Sequence, residues 1–212
     1  MEPNFRSYNH FAGQKVNRLE ALTDGIFAIA MTILVLDIRF PVSDTIRTEA
    51  ELWQSFLTLA PKLSTYILSF MTLGIFWTGY TSQFNFINRS DRHLNWISLF
   101  FLMFVSLIPF STSFLSDHIH FKLAIGIYWL NLFALGVFIL IHWNYVRKMN
   151  YLNIEGSVLL KTNKAIKKRI YTAQGLYLIG ASFCFIHTYI SISFIILVQL
   201  YYALAIFHNQ RK

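Results

Sequence analysis

Six stretches of about 20 mostly apolar residues recur along this chain, each bounded by charged or turn-forming residues. A stretch of that length is what an α-helix needs to cross the hydrocarbon core of a bilayer. The sequence therefore predicts an all-α membrane protein in which residues 1–212 form a single domain of six transmembrane helices. The predicted spans are residues 22–40, 61–84, 93–115, 121–145, 170–188 and 190–207.

Three prolines mark where these spans begin, end or bend. Pro41 ends the first span because proline cannot continue a helix interior, and Pro61 suits the first turn of the second span. Pro109 lies inside the third span and predicts a kink in its second half. Residues 170–207 are too long for one crossing, and the polar stretch 188–193 is the predicted turn that divides them.

The amino-acid composition excludes a water-soluble fold. The chain is 55% hydrophobic and only 13% charged, whereas soluble domains carry about 25% charged residues. Charge this sparse cannot cover the surface of a soluble domain. Disorder is excluded by the same composition. A disulfide scaffold is excluded because Cys184 is the single cysteine, and we expect it to act as a small hydrophobe.

Lysine and arginine are divided unevenly between the two sides of the predicted bundle. With six spans, 14 of the 18 basic residues fall on the side that holds both termini. Because cytoplasmic loops retain lysine and arginine, both termini are predicted to be cytoplasmic. The basic run 161–169 adjoins a span and is expected to lie on anionic headgroups. The net charge of +8 therefore indicates no nucleic-acid partner.

Motifs of catalysis and ligand binding are missing from the sequence. There is no HExxH, no GxSxG, no phosphate-binding glycine loop and no cysteine–histidine ligand spacing. His118 and His120 are close enough in sequence to share a metal, but a solvated pair is the ordinary explanation. We therefore expect no enzyme, no catalytic residue, no cofactor and no metal site.

Ionisable side chains inside a membrane are costly, so Asp24 near the start of the first span is a functional candidate. In one interpretation it is an interfacial carboxylate, favoured by the dipole at the helix N-terminus. In the other, Arg18, Thr23 and Asp24 form a hydrogen-bonded cluster near a permeation path. Tyr80 and Asn95 are candidate partners from other spans. Both interpretations remain open at the level of sequence.

A stripe of uncharged side chains runs along the same span. Ile29, Thr32, Ile33 and Leu36 stand at positions i, i+3, i+4 and i+7, which places them on one helix face. Packing against other helices is the ordinary explanation for such a stripe, and lining a pore is the alternative. The spacing alone does not choose between the two.

The residues from Arg18 to Pro41, RLEALTDGIFAIAMTILVLDIRFP, resemble the first-helix signature of a known family of membrane proteins. That signature is an arginine, then Phe-Ser-Asp, then an apolar run with a threonine–leucine pair, ending at a proline. A second block, from Phe76 to Leu115 and including Trp77, resembles the family's second and third helices. The family is that of lysosomal potassium channels, transmembrane protein 175, and the chain resembles its prokaryotic branch.

The resemblance implies a potassium-selective cation channel in a prokaryotic plasma membrane. It further implies a homotetramer of six-helix subunits without a re-entrant selectivity-filter loop. In the family the first helix lines the pore, and its apolar side chains form the constriction and gate. The matching positions here are Ile29, Ile33 and Leu36, with Thr32 beside them. Potassium ions, membrane lipids and copies of the same chain are the expected partners.

The polar positions of the two matched blocks are expected to hold the helices together. Arg18, Thr23, Asp24 and Trp77 are the predicted structural cluster. Leu22 and Thr23 stand where the family has Phe-Ser. Threonine keeps the hydroxyl of serine, and leucine lacks the phenylalanine ring.

Four copies of the stripe around an axis would enclose a narrow apolar neck about 10 Å long, at 1.5 Å per residue. Such a neck closes by losing its water and opens by widening. Because potassium sheds water more easily than sodium, a neck with few oxygen ligands favours potassium, and Thr32 replaces one lost water. Asp37 at the extracellular mouth is expected to attract cations. Asp44, Glu49 and Glu51 either do the same or are simply solvated.

A proton channel or proton-coupled secondary transporter that uses Asp24 is the alternative function. Transporters often show internal repeats or helices broken at matched positions, and the sequence shows no such pair. A non-conducting membrane scaffold is a third class of function. Cation flux across a membrane distinguishes all three.

Overall fold

The computed structural model describes residues 15–39 and 46–209, with side chains as far as residue 202. This part of the chain is helical apart from short turns and one isolated bridge. Its helices are α1 (Val16–Leu36), α2 (Glu49–Leu57), α3 (Ala60–Phe84), α4 (Arg92–Ser106), α5 (Ile108–Asp117), α6 (Lys122–Lys148), α7 (Gly156–Ser182) and α8 (Thr188–Asn209), with a 3-10 turn at Phe183–Phe185 before α8. The prediction of an all-α protein is confirmed.

Three helical segments of the described chain are long and apolar enough to cross a membrane: α1, the pair α4–α5, and α6. The pair α2–α3 makes a fourth if it is taken as one span bent by 45°. The first 15 residues of α8 are apolar but shorter. The count of six spans and the cytoplasmic position of the termini remain predictions.

The proline effects expected from the sequence are visible in the helices. Pro61 lies in the first turn of α3. The third predicted span is interrupted at Leu107, and Pro109 lies in the first turn of the helix that follows. Because proline lacks the amide hydrogen that a helix interior uses, both positions suit a helix start. Phe40 and Pro41, where the first span was predicted to end, lie outside the described residues, and α1 ends at Leu36.

The fifth predicted span differs most from the structure. It was predicted to start at residue 170, yet α7 begins at Gly156 and includes the whole basic run. Lysine and alanine are good helix formers, so the helix continues past the apolar segment. The turn before α8 lies at residues 183–187, ahead of the polar stretch 188–193 that was predicted to form it. There the Ser191 hydroxyl donates to the Gly180 carbonyl oxygen at 2.7 Å, so it is satisfied inside a helix.

A short helix that the sequence did not predict, α2, lies in the loop after the first span. Thr48 Oγ1 accepts from the Glu51 amide at 3.2 Å, and Glu51 Oε2 accepts from the Thr48 amide at 3.0 Å. This reciprocal pair is a capping box. The backbone amides of Arg47 and Thr48 lower the pKa of the Glu51 carboxyl. No residue of α2 is buried.

The connections between helices gather at two ends of the bundle. At one end the α3–α4 and α6–α7 loops pair, with the Asn88 amide donating to the Tyr151 carbonyl oxygen at 2.9 Å. The Asp91 carboxylate at the same end caps α4 and accepts from the Tyr145 hydroxyl at 2.6 Å. At the other end Lys62 lies 3.2 Å from Asp117. The α3–α4 and α6–α7 loops therefore lie at one end, and the start of α3 and the end of α5 lie at the other. The pair α4–α5 thus runs antiparallel to α6.

The core on which α1 rests is aromatic. Phe27 of α1 is buried, and its ring centroid lies 6.0 Å from that of Phe101 in α4. Phe101 stacks on Tyr80 of α3 at 4.1 Å. Ala30 and Leu34 lie buried on the same side of α1. One face of α1 is therefore held by α3, α4 and α5.

Candidate functional site

The stripe on α1 lies on the opposite face, away from the core. The side chains of Ile29, Ile33 and Leu36 are 57%, 44% and 65% exposed in the single chain, and Thr32 is exposed as well. Because the 3.6-residue period of the helix separates these positions from Phe27, Ala30 and Leu34, α1 has one packed face and one free face. Either lipid or another copy of the chain can cover the free face.

The hydroxyl of Thr32 is oriented by its own helix. Thr32 Oγ1 donates to the Ile29 carbonyl oxygen at 2.9 Å. A hydroxyl has one hydrogen and two acceptor lone pairs, so this bond uses the hydrogen and leaves the lone pairs free. The outward side of this oxygen can therefore only accept hydrogen bonds or face a cation.

Asp24 and Trp77 form a contact that joins the first half of α1 to α3. Trp77 Nε1 donates to Asp24 Oδ1 at 2.8 Å. Thr23 is fully buried, and its hydroxyl donates to the Leu19 carbonyl oxygen at 2.9 Å within α1. Two members of the predicted cluster are thus in direct contact, and a third lies beside them.

The other candidates for that cluster lie elsewhere. Arg18 is exposed, and no hydrogen bond within the described chain joins its side chain to Thr23, Asp24 or Trp77. The Tyr80 hydroxyl donates to Ser98 Oγ at 2.8 Å, deep in the core. Asn95 Oδ1 accepts from the Ser90 hydroxyl at 2.7 Å. Tyr80 and Asn95 therefore pair within α3, α4 and the loop between them, because nearer hydroxyls satisfy them.

Asp37 immediately follows α1 and contacts α5. Its two carboxylate oxygens accept from the Ser113 hydroxyl at 2.9 Å and the Ser116 hydroxyl at 3.3 Å. These neutral donors hold the carboxylate in place without cancelling its charge. Of the acidic loop residues, Glu49 and Glu51 form the first turn of α2, and Asp44 lies outside the described residues.

A buried chain of hydroxyl and amide groups crosses the centre of the bundle, and the sequence did not predict it. The Thr112 hydroxyl donates to Ser69 Oγ at 2.6 Å, and the Ser69 hydroxyl donates to the Tyr128 hydroxyl oxygen at 3.1 Å. Tyr128 lies 3.1 Å from Thr72 Oγ1, which also accepts from the Gln199 amide. The only signal was hydroxyl residues inside apolar spans, and it does not say which pairs meet.

The comparisons with known proteins agree with the apolar helices. Residues 18–109 match the model of a family described as endosomal/lysosomal potassium channel TMEM175. A potassium channel of Streptomyces collinus is 36% identical over 102 residues, which is 48% of each chain. A potassium channel of Chamaesiphon minutus is 28% identical over 193 residues, covering 90% of this chain and 94% of the relative.

A solved structure extends the likeness to the fold. The crystal structure of a lysosomal potassium-selective channel TMEM175 homolog from Chamaesiphon minutus superposes with a TM-score of 0.74 and 26% sequence identity. The match covers 90% of this chain and 97% of that one. The apolar helices and these relatives define a membrane protein of the ion-channel class, which is not a class of enzymes. Over residues 18–109 the chain is similar to the TMEM175 family, and its fold is similar to that of the solved TMEM175 homolog.

Proposed function

We propose that the chain is one subunit of a homotetrameric, potassium-selective channel in a prokaryotic plasma membrane. The observation that carries this proposal is the free face of α1. Ile29, Ile33 and Leu36 are the exposed apolar stripe of a helix whose other face is fixed in the subunit core. Four such faces around an axis make a continuous apolar constriction. The named relatives support potassium as the permeating ion.

The gate of this channel is hydrophobic. A narrow neck lined by isoleucine and leucine offers water few hydrogen bonds, so it dries and blocks ions until it widens. The packed face of α1 gives each subunit a rigid support for these side chains. Opening therefore requires α1 to move with α3 and α4, to which its buried face is joined.

Potassium selectivity in this proposal comes from the small number of oxygen ligands in the neck. The Thr32 hydroxyl hydrogen points to the Ile29 carbonyl oxygen, so the hydroxyl oxygen presents lone pairs outward. Four such oxygens replace part of the hydration shell of an ion at one level. Potassium, which loses water more easily than sodium, passes in preference. Asp37, held by Ser113 and Ser116, raises the local cation concentration at one mouth.

Asp24 serves mainly as a structural acceptor in this proposal. The Trp77 indole nitrogen donates to its carboxylate at 2.8 Å, and this bond joins α1 to α3. An indole N–H carries no exchangeable charge at neutral pH and cannot relay a proton as histidine does. The contact therefore favours helix fixation by Asp24 over the alternative of a proton pathway through it.

Purified protein in liposomes with an outward potassium gradient tests the proposal. We expect potassium flux that exceeds sodium flux, and Ile33→Asn is expected to raise the flux several-fold and weaken the preference for potassium. A polar side chain keeps the neck wet, which removes part of the gating barrier. The matched control is Ile67→Asn on α3, since Ile67 is 50% exposed but lies outside the stripe.

The outcomes separate the functional classes. Ile67→Asn is expected to behave like the wild type in flux and selectivity. No potassium flux at any pH or voltage would overturn the channel, and a stable non-conducting tetramer would indicate a scaffold. Proton-coupled, saturable transport that Asp24→Asn abolishes would establish the transporter instead. Equal behaviour of the wild type and both isoleucine variants would remove α1 from the permeation path.

A further inference from the structure

A crevice separates α3 from α7 on the side of the bundle away from α1. Its volume is about 110 Å³, and α6 contributes Gly136 and Ile139 to its lining. On α7 the lining residues follow helical spacing along one stripe: Ile166, Arg169, Ile170, Ala173, Gln174 and Tyr177. On α3 they include Ile75, Phe76, Gly79 and Phe86. The crevice is therefore mostly apolar, with one permanently charged side chain.

The charged side chain, Arg169, lacks a counter-ion among the described residues. Its Nη2 atom is buried and has no hydrogen-bond partner in the described part of the chain. The described chain records an ion pair between Lys62 and Asp117 and a 3.9 Å contact between His93 and Asp91, and neither involves Arg169. A buried unpaired guanidinium nitrogen costs free energy unless an anion meets it. The chain supplies the cation of a charge-assisted pair and leaves the anion to a ligand.

The side chains around Arg169 indicate which class of ligand carries the anionic group. Lys164 and Lys168 of the same helix are exposed but do not line the crevice, so Arg169 alone among the lining residues carries a positive charge. The remaining lining is isoleucine, phenylalanine and alanine, which suits a hydrocarbon chain. The Gln174 side chain packs directly against α6 at Gly136. A Cβ at Gly136 would collide with the Gln174 amide group. One ligand class combines an anionic head with an apolar tail and is always present beside such a helix.

We propose that the α3–α6–α7 crevice binds an anionic phospholipid, with its phosphate on Arg169 and part of an acyl chain between α3 and α7. Guanidinium groups bind phosphate oxygens through short, charge-assisted hydrogen bonds. Basic pockets between membrane helices are suited to anionic headgroups. The bound lipid joins α3, which carries the α1 contact at Trp77, to the basic half of α7. This proposal concerns lipid binding and stands independently of ion flux.

Native mass spectrometry of the detergent-purified protein tests the proposal, with phosphatidylglycerol and phosphatidylcholine of identical acyl chains as probes. The wild type is expected to retain phosphatidylglycerol at least tenfold more strongly than phosphatidylcholine. Arg169→Gln should weaken phosphatidylglycerol binding about tenfold, because one charge-assisted bond to the phosphate is lost. Lys168→Gln is the matched control, since it removes the same charge one residue away and is expected to change binding less than twofold.

A steric variant tests the acyl-chain part separately. Ala173→Leu fills the crevice without changing charge and is expected to weaken phosphatidylglycerol binding several-fold. Equal losses in Arg169→Gln and Lys168→Gln would overturn the site in favour of diffuse surface charge. Full competition by inorganic phosphate would overturn the lipid assignment in favour of a free anion. If the wild type binds phosphatidylglycerol and phosphatidylcholine equally, the proposal is overturned. This comparison needs no variant, so it holds even if a variant fails to fold.

Discussion

The exposed face of α1 carries Ile29, Ile33 and Leu36, whereas the interior between α3, α5, α6 and α8 holds Ser69, Tyr128 and their partners. In water the arrangement would be reversed, with apolar residues inside. In lipid, apolar surface gains little from burial, so hydrogen bonds and close packing hold helices together. An exposed apolar face of a membrane helix can therefore contact lipid, contact a partner subunit or line a pore. The contacts made by the opposite, buried face of the helix help to distinguish these cases.

The two faces of α1 itself give the largest expected difference. Phe27→Ala removes a buried ring that packs on Phe101, and we expect a loss of about 3 kcal/mol in the free energy of unfolding. Val35→Ala, on the same helix but 47% exposed, should change it by less than about 0.5 kcal/mol. Unfolding in detergent followed by tryptophan fluorescence measures both. Similar losses for the two variants would mean that α1 packs on both faces within one chain.

The buried hydroxyl chain is expected to contribute an intermediate amount. Thr72→Val keeps the shape of the side chain but leaves Tyr128 and the Gln199 amide without their shared partner. Unpaired buried groups cost about 1–3 kcal/mol, so the unfolding midpoint should fall clearly. Thr78→Val is the control, because its hydroxyl bonds only to the Gly74 carbonyl oxygen of its own helix. If Thr72→Val and Thr78→Val lose equal stability, the interior chain does not stabilise the bundle.

The Asp24–Trp77 contact has the smallest expected effect on stability. Trp77→Phe keeps an aromatic ring and loses the indole donor, and we expect a loss of about 0.5–1.5 kcal/mol because both groups are partly exposed. Asp24→Asn retains an oxygen acceptor and should cost less. The measurement is the same unfolding experiment, combined with potassium flux. A large loss of flux in Asp24→Asn with unchanged stability would contradict the structural role of this carboxylate.

The parts of the fold that follow from local rules were predictable. Span length and proline chemistry gave the start of α3 and the break before α5, since both depend on a few neighbouring residues. The spacing of Ile29 and Ile33 placed them on one face, and that face is exposed. The start of α7 at Gly156 was not predicted, because hydropathy reports only the apolar segment from residue 170, whereas a helix continues as long as its backbone propensity allows.

Long-range pairing was the part that sequence could not supply. Trp77 was grouped with Asp24 through family resemblance, and the 2.8 Å contact agrees with that grouping. Tyr80 was also a candidate, but its hydroxyl reaches Ser98 in the core. A hydroxyl inside an apolar span can bond to its own helix or to any neighbour, and only the three-dimensional packing decides between them.

The bend between α2 and α3 joins a short helix with exposed aromatic side chains to a long apolar helix at 45°. On α2, Trp53 and Phe56 stack with ring centroids 5.7 Å apart, and both are exposed. Tryptophan rings are enriched at the boundary between headgroups and acyl chains. If α2 lies at that boundary, a change of bilayer thickness would alter its angle to α3, the helix that carries Trp77. Bilayer thickness would then act on the same helix that contacts α1 through Trp77 and Asp24.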